Sequence, residues 1–231
     1  MPRGDKKKQL SIIVPMLDEA ASLPALLEHL RQFRESGCEI LLVDGGSSDN
    51  SVALGQSAGF PVLRSSRGRA RQMNAGAQAA TGEVLLFLHA DTRLPEAAVT
   101  QMDQAFSDRQ GIWGRFDVRI EGQPAMLRVV AFFMNLRSRI TGICTGDQAI
   151  FVLRNNFDRA GGFPDQSLME DIALSARLRR LNSPMCLTGP AVTSGRRWEM
   201  HGVGRTILLM WRLRFAYWCG VSPEILAKDY R

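Results

Sequence analysis

Acidic residues, a histidine and arginines sit where short apolar runs stop. Ser11–Pro15 (SIIVP) is followed by Asp18 and Glu19, and Glu39–Val43 (EILLV) by Asp44-Gly45-Gly46-Ser47. Phe60–Arg64 opens a stretch with Arg64, Arg67, Arg69 and Arg71, and Glu83–Leu88 (EVLLFL) ends in His89-Ala90-Asp91. If these runs are strands of an open parallel sheet, ligands bind beyond their carboxyl ends. One aspartate there is ordinary turn or cap chemistry. Four polar ends on one sheet edge exceed what capping requires. Arginine forks match phosphate geometry. Arg67-Gly68-Arg69 precedes an alanine-rich segment, so arginines and the N–H groups of a helix start could meet one phosphate there. The plain alternative is a solvated basic face. Further on, Glu170-Asp171 opens the pattern Ile172–Leu181, where first-turn acids complement the helix dipole. His201 lies in a glycine-bounded segment, Gly195 to Gly204.

The elements that must position these residues follow from periodicity. Ser11–Pro15, Glu39–Val43, Phe60–Arg64 and Glu83–Leu88 read as buried strands. Between them, Ser22 and Pro24 start a helix with Leu23, Leu26, Leu27 and Leu30 on one face, ended by Gly37. Asp49 to Gly55 begins a second helix, and Arg69–Ala80 is a third. Alternating strands and helices predict right-handed βαβ units around a parallel sheet. Later, Trp113–Glu121 (WGRFDVRIE) alternates with period two, as a half-open strand does. Ala125–Leu136, Glu170–Leu181 and Arg205–Trp218 read as helices, and Gln148–Arg154 as a strand. The absence of a repeat or linker predicts one domain over residues 10–231, with halves of about 10–95 and 96–231 and a floppy basic tail at 1–9.

Composition narrows the classes. The chain has 231 residues, 45% hydrophobic and 23% charged, which excludes collagen-like, disordered and coiled-coil proteins. The net charge is +6, and arginine supplies nearly all of the basic residues, since lysine occurs only at Lys6, Lys7, Lys8 and Lys228. That balance suits a phosphate-bearing ligand, a nucleic acid or an anionic membrane surface. No nucleic-acid recognition motif is present, so nucleic acid is not expected as a partner. Neither GxGxxG nor GxxxxGK[ST] occurs, which argues against dinucleotide and P-loop sites. Cys38, Cys144, Cys186 and Cys219 form no CxxC pair. Lys6–Lys8 precede only a short apolar run broken by Pro15, so no secretory signal is read and a reducing, cytoplasmic compartment is expected. No run approaches about 18 apolar residues. Arg205–Trp218 mixes arginine, tryptophan and aliphatic residues: it is either an interfacial helix at the inner membrane face or a core helix that snorkels its arginines.

In order and spacing, SIIVPMLDEA, LLVDGGSSDNS, RARQMNAGAQAATGEVLLFLHADTRLP, GGFP and MEDIALSARLRR resemble a family 2 glycosyltransferase of the GT-A fold, over roughly residues 10–182. The segment SGRRWEMHGVGRTILLMWRLRFAYWCGVSPE is similar to a small bacterial subgroup discussed with radical-SAM proteins and arsenosugar biosynthesis. The resemblance implies an α/β/α sandwich with a mainly parallel sheet. It implies inverting, divalent-metal-assisted transfer from a nucleotide-diphosphate sugar to a hydroxyl acceptor. The alternative is a non-catalytic nucleotide-sugar binder.

The same resemblance assigns residues. Pro15, Glu19 and Asp44 would hold the nucleoside, and Arg71 and Asn74 would reach the donor. Gly45 stands where the family often has a second acid that meets the base. Asp91 is the surviving acid of the metal motif DxD, here His89-Ala90-Asp91, and would hold Mn²⁺ or Mg²⁺. His89 either joins the metal or hydrogen-bonds the sugar or a backbone carbonyl. His201 is either a late metal histidine or a surface residue. Gly161, Gly162 and Phe163 would lie under the donor sugar, and Gly146-Asp147-Gln148 would line the same pocket. Asp171 would be the catalytic base, with Glu170 orienting the acceptor.

Overall fold

A computed structural model describes residues 9–108 and 111–230. Residues 1–8 of the expected tail lie outside the described residues. The first four strands are β1 (Leu10–Met16), β2 (Glu39–Asp44), β3 (Val62–Arg64) and β4 (Val84–Phe87). Between them run α1 (Leu23–Glu35), α2 (Ser51–Ser57) and α3 (Arg69–Ala79). A short β5 (Thr92–Arg93) and α4 (Ala98–Asp108) lead to β6 (Trp113–Glu121) and α5 (Met126–Thr141). A 3-10 turn at Gly146–Gln148 precedes β7 (Phe151–Leu153), α6 (Arg154–Arg159) and α7 (Glu170–Leu181). Then come β8 (Met185–Ser194), α8 (Arg196–His201), α9 (Val203–Trp218) and α10 (Pro223–Tyr230).

All eight strands join one sheet in the order β3-β2-β1-β4-β7-β6-β8-β5. β1 pairs in parallel with β2 and β4, β2 with β3, and β6 with β8. β7 is antiparallel to both β4 and β6, and β5 to β8. Six strands therefore point one way, with β7 and β5 reversed. The carboxyl ends of β1, β2 and β4 share one edge.

Side-chain alternation along β1 divides the interior into two cores. Ile12, Val14 and Met16 pack with Leu23, Leu26, Leu30 and Phe33 of α1 and Ala98 and Met102 of α4. Ile13 faces the opposite core, with Ala70, Met73 and Ala77 of α3 and Leu174 and Leu178 of α7. The sheet is thus covered on both faces, as the sequence reading expected. α5 is fixed to β6 by Asn135, whose side chain accepts from Val118 N at 2.9 Å and donates to Val118 O at 3.0 Å. Arg139 adds a two-pronged ion pair to Asp117 at 2.7 and 2.8 Å.

Several expectations change. The strand expected at Gln148–Arg154 is confined to Phe151–Leu153, because Gly146–Gln148 closes a 3-10 turn and Ala149 takes φ 46°. The helix expected at Ala125–Leu136 continues to Thr141, until Gly142 caps it at φ 67°. Ser22 does not cap α1: its hydroxyl donates to the Glu19 carboxylate at 2.6 Å instead. β8 was not anticipated, and its register against β6 jumps between Phe116↔Leu187 and Asp117↔Pro190.

Candidate active site

Above the carboxyl edge of the sheet lies a cavity of about 210 Å³. Pro15 and Glu19 line it from the loop after β1, and His89 and Asp91 from the loop after β4. The turn before β7 brings Asp147, the start of α7 brings Glu170 and Asp171, and α3 brings Arg69. Arg197, Arg214 and Tyr230 close it from α8, α9 and α10.

On one side, His89, Asp91 and Asp147 each offer a ligand atom, all within 4.8 Å of one another. The His89 Nδ1 is 3.3 Å from the Asp147 carboxylate. Gly146 makes this approach possible, because a Cβ there would overlap the imidazole at Nε2. Burial raises the Asp147 carboxyl, but the His89 hydrogen bond, the charge of His89, and the charges of Arg69 and Arg214 outweigh it and hold it below the ordinary value. One imidazole and two carboxylates form a hard, mixed donor set that fits Mn²⁺, and also Mg²⁺.

In the same cavity, α7 is preceded by Met169, which adopts φ 65°, a left-handed conformation that costs free energy in a non-glycine residue. That turn directs two acids into the cavity. The Asp171 carboxylate accepts from Gly146 N at 2.7 Å and from Ile172 N at 2.7 Å. Glu170 is buried and lies 3.7 Å from the Arg69 guanidinium. Burial and the charge of Asp171 push its carboxyl up, against the pull of Arg69.

The loops after β1 and β2 are tied together beside the cavity. Asp18 N donates to Ser47 Oγ at 3.0 Å, Ser48 N donates to Asp18 at 2.7 Å, and Ala20 N donates to Asp49 at 2.9 Å. Asp44 is buried and turned toward its own loop: its carboxylate accepts from Gly46 N and Ser47 N at 3.0 Å each. Gln72 donates from Nε2 to the carbonyls of Met16 and Val43 at 2.8 Å, bridging β1 and β2. It fills the space beside Gly45, where a Cβ would stand 2.9 Å from the Gln72 amide carbon. An acidic side chain at position 45 is therefore excluded while Gln72 holds this bridge.

Four other expected donor or metal residues stand apart from this cavity lining. Arg71 pairs with Asp165 at 2.8 Å on the exposed side of α3. Residues two apart on a helix point roughly 200° apart, so when Arg69 faces the cavity Arg71 cannot. Asn74 clasps the backbone of Phe163, donating to its carbonyl at 2.8 Å and accepting from its N–H at 3.0 Å. Gly162, at φ 62°, leaves room for that clasp: a Cβ would come within 2.9 Å of Asn74 Oδ1. His201 ends α8 as an exposed residue and lines a neighbouring cavity with Arg205, Arg212 and Asp229. It is not part of the group formed by His89, Asp91 and Asp147.

Sequence reasoning did not single out Arg197, Arg214 or Tyr230 as site residues. Arg214 was visible only as one arginine in a helix of interfacial composition. Asp147 was placed in the pocket by resemblance but not as a metal ligand, since nothing in its local sequence points toward His89.

The model of glycosyl transferase family 2 matches residues 11–160, and the chain belongs to that family. Its fold is that of GT-A glycosyltransferase structures. Against the mannosyltransferase PcManGT from Pyrobaculum calidifontis, in complex with GDP-Man and Mn²⁺, the TM-score is 0.65 at 19% identity, covering 98% of this chain and 70% of that one. Against residues 1–349 of S. aureus TarS it is 0.66 at 17% identity, covering 81% and 60%. An uncharacterized glycosyltransferase of Haemophilus influenzae is 42% identical over 86 residues, 36% of this chain and 29% of that protein. The undecaprenyl-phosphate 4-deoxy-4-formamido-L-arabinose transferase of Yersinia enterocolitica is 29% identical over 160 residues, 64% of this chain and 48% of that protein. The chain thus spans less than half the length of these two relatives.

Proposed function

We propose that this protein transfers a glycosyl group from a nucleotide-diphosphate sugar to a hydroxyl acceptor, with inversion and with help from Mn²⁺ or Mg²⁺. The observation that carries the reading is one cavity lined both by a metal-competent group, His89, Asp91 and Asp147, and by two acids, Glu170 and Asp171. His89, Asp91 and Asp147 would hold the divalent cation, which would supply neutralisation of the charge that grows on the departing diphosphate. Arg69 stands beside the cavity to add a phosphate fork. Pro15 and Glu19 flank the nucleoside. Asp171 takes the proton from the acceptor hydroxyl as its oxygen attacks the anomeric carbon opposite the leaving group. Its two backbone donors, Gly146 N–H and Ile172 N–H, fix its direction. Glu170 sits beside it and orients the acceptor.

The Mn²⁺ and GDP-Man of the mannosyltransferase structure support the donor and metal classes. No described helix is long and apolar enough to cross a membrane. We place the protein in the cytoplasm with peripheral contact to the inner membrane face. The mixture of arginine, tryptophan and aliphatic residues in Arg205–Trp218 supports that contact.

A thermal-shift panel of UDP-, GDP- and dTDP-sugars, with and without Mn²⁺, tests the reading. A true donor at 100 times its Kd stabilises by about 2.7 kcal/mol. Mn²⁺-dependent stabilisation by one donor class supports the proposal. No response to any donor, or a response indifferent to metal, overturns it.

A further inference from the structure

A second cavity of about 470 Å³ opens between α5 and α9, and its wall is nearly all apolar: Val129, Phe133 and Met134 from one helix, Ile207, Met210 and Trp211 from the other. It adjoins the first cavity, for Asp147, Trp198, Met210 and Arg214 line both. At its mouth, each helix shows an apolar stripe to solvent. On α5 the stripe includes Phe133, 59% exposed, and Ile140, 75% exposed. On α9 it runs through Leu208, Trp211, Phe215 and Trp218, the last 82% exposed. These recur at helical spacing, i, i+3, i+7 and i+10, and so share one face. Patches of this kind on a lone chain mark an interaction surface.

The cavity also holds two guanidiniums, those of Arg137 and Arg214, against one carboxylate, that of Asp147. Arg137 lines it, and its Nε and Nη2 are shut off from solvent with no hydrogen-bond partner among the described residues. Arg214 lines the same cavity. Burial first, and then the charge of Arg214, bring the Arg137 guanidinium down to about 10. Burying unpaired guanidinium nitrogens is costly. A phosphate satisfies such forks in a bidentate manner.

We infer that the groove between α5 and α9 binds a membrane phospholipid, its chains along Val129, Phe133 and Trp211 and its phosphate on Arg137 and Arg214. This rests on the glycosyl-transfer reading and names the acceptor class: a headgroup hydroxyl beyond that phosphate would lie at the passage to Asp171. The exposed stripes of α5 and α9 then rest in the interfacial layer of the bilayer, at a depth typical of amphipathic helices. Anionic lipid supplies a second anion, beside Asp147, for the two arginines.

Vesicle flotation tests the site without requiring turnover. The arms are phosphatidylcholine vesicles, the same vesicles with phosphatidylglycerol, and soluble glycerol 1-phosphate as competitor. The expected result is preference for the phosphatidylglycerol vesicles, a blue shift of tryptophan emission on binding, and no competition by the soluble phosphate. Arg137→Gln should weaken binding to these vesicles by roughly tenfold or more. Phe133→Ser, at a position that is mostly exposed, should weaken it as well. Equal binding to neutral and anionic vesicles, unchanged binding by Arg137→Gln, or full competition by glycerol 1-phosphate overturns the proposal. So does a concentration-dependent dimer that covers this face and leaves vesicles unbound. Donor stabilisation in the absence of vesicles is measured separately: if it survives while lipid binding fails, the lipid site alone falls.

Discussion

The His89 imidazole lies against Gly146, and the Gly146 N–H donates to Asp171 at 2.7 Å. One glycine therefore touches both the metal-competent group and the acid of α7 in the candidate site. Gly146→Ala must push the imidazole away from Asp147, and only a hydrogen at position 146 avoids this. Loss of an orienting contact around metal ligands typically costs 10–100-fold in affinity. Titration calorimetry with Mn²⁺ and a nucleoside diphosphate should show a loss of that order. His201→Ala should leave the metal affinity unchanged, and an equal loss there would place His201 in the metal group.

Asp171→Asn preserves shape and the bond to Ile172 N but removes the proton acceptor. Turnover on the true acceptor should fall by roughly 10²–10⁴-fold with donor affinity little changed. Near-native turnover would transfer the base role to Glu170 or indicate a retaining reaction. The two acids are adjacent on α7 and point about 100° apart, so one cannot simply replace the other.

Arg69 and Arg71 provide a matched pair. Arg69→Gln should weaken nucleoside diphosphate binding more than nucleoside binding, because only the first ligand presents phosphates to the fork. Arg71→Gln should cost little, since an exposed pair with Asp165 is worth about 0–1 kcal/mol. If calorimetry shows the reverse ranking, Arg71 reaches the donor and its pairing with Asp165 is broken on binding.

Glu170 should leave a pH signature on stability. Burial and the charge of Asp171 raise its folded-state value above that of the unfolded chain. The folded protein then holds more protons across that interval, so the contribution of Glu170 is fully present below the unfolded value and is lost as pH rises through the folded one. The difference between Glu170→Gln and the unmutated protein should be small near pH 4 and should grow in favour of the mutant toward neutral pH. Denaturant midpoints measured across this range check it. A mutant that loses ground as pH rises would mean that Arg69 dominates the pair.

Much of this was legible where local signals agree. The alternation of Trp113–Glu121 and the pattern of Glu170–Leu181 match β6 and α7 end to end, because period two marks the strand and first-turn acids mark the start of the helix. β8 was not legible. Gly189-Pro190 interrupts its pattern, and only the register jump beside Phe116 and Asp117 lets the chain rejoin the sheet. The metal-competent group was half legible. His89 and Asp91 are two apart in sequence, but Asp147 arrives from another segment through the turn before β7. The choice between Arg69 and Arg71 depends on helix phase, which a cluster of arginines does not reveal. The apolar stripe of α9 was legible only as composition and that of α5 was not singled out, since the exposed face of a helix is set by what packs on the other side.

The ties among Asp18, Ser47, Ser48, Ala20 and Asp49 bear on how a donor is met. Two loops that would otherwise wander are fastened to each other by side-chain caps before any nucleotide arrives. Their conformational entropy is lost during folding, so little of it is left to lose on binding. Association should then behave as docking onto a rigid rim. The amides of Asp18, Ala20 and Ser48 should resist hydrogen exchange in the free protein, and the donor should add little to that resistance.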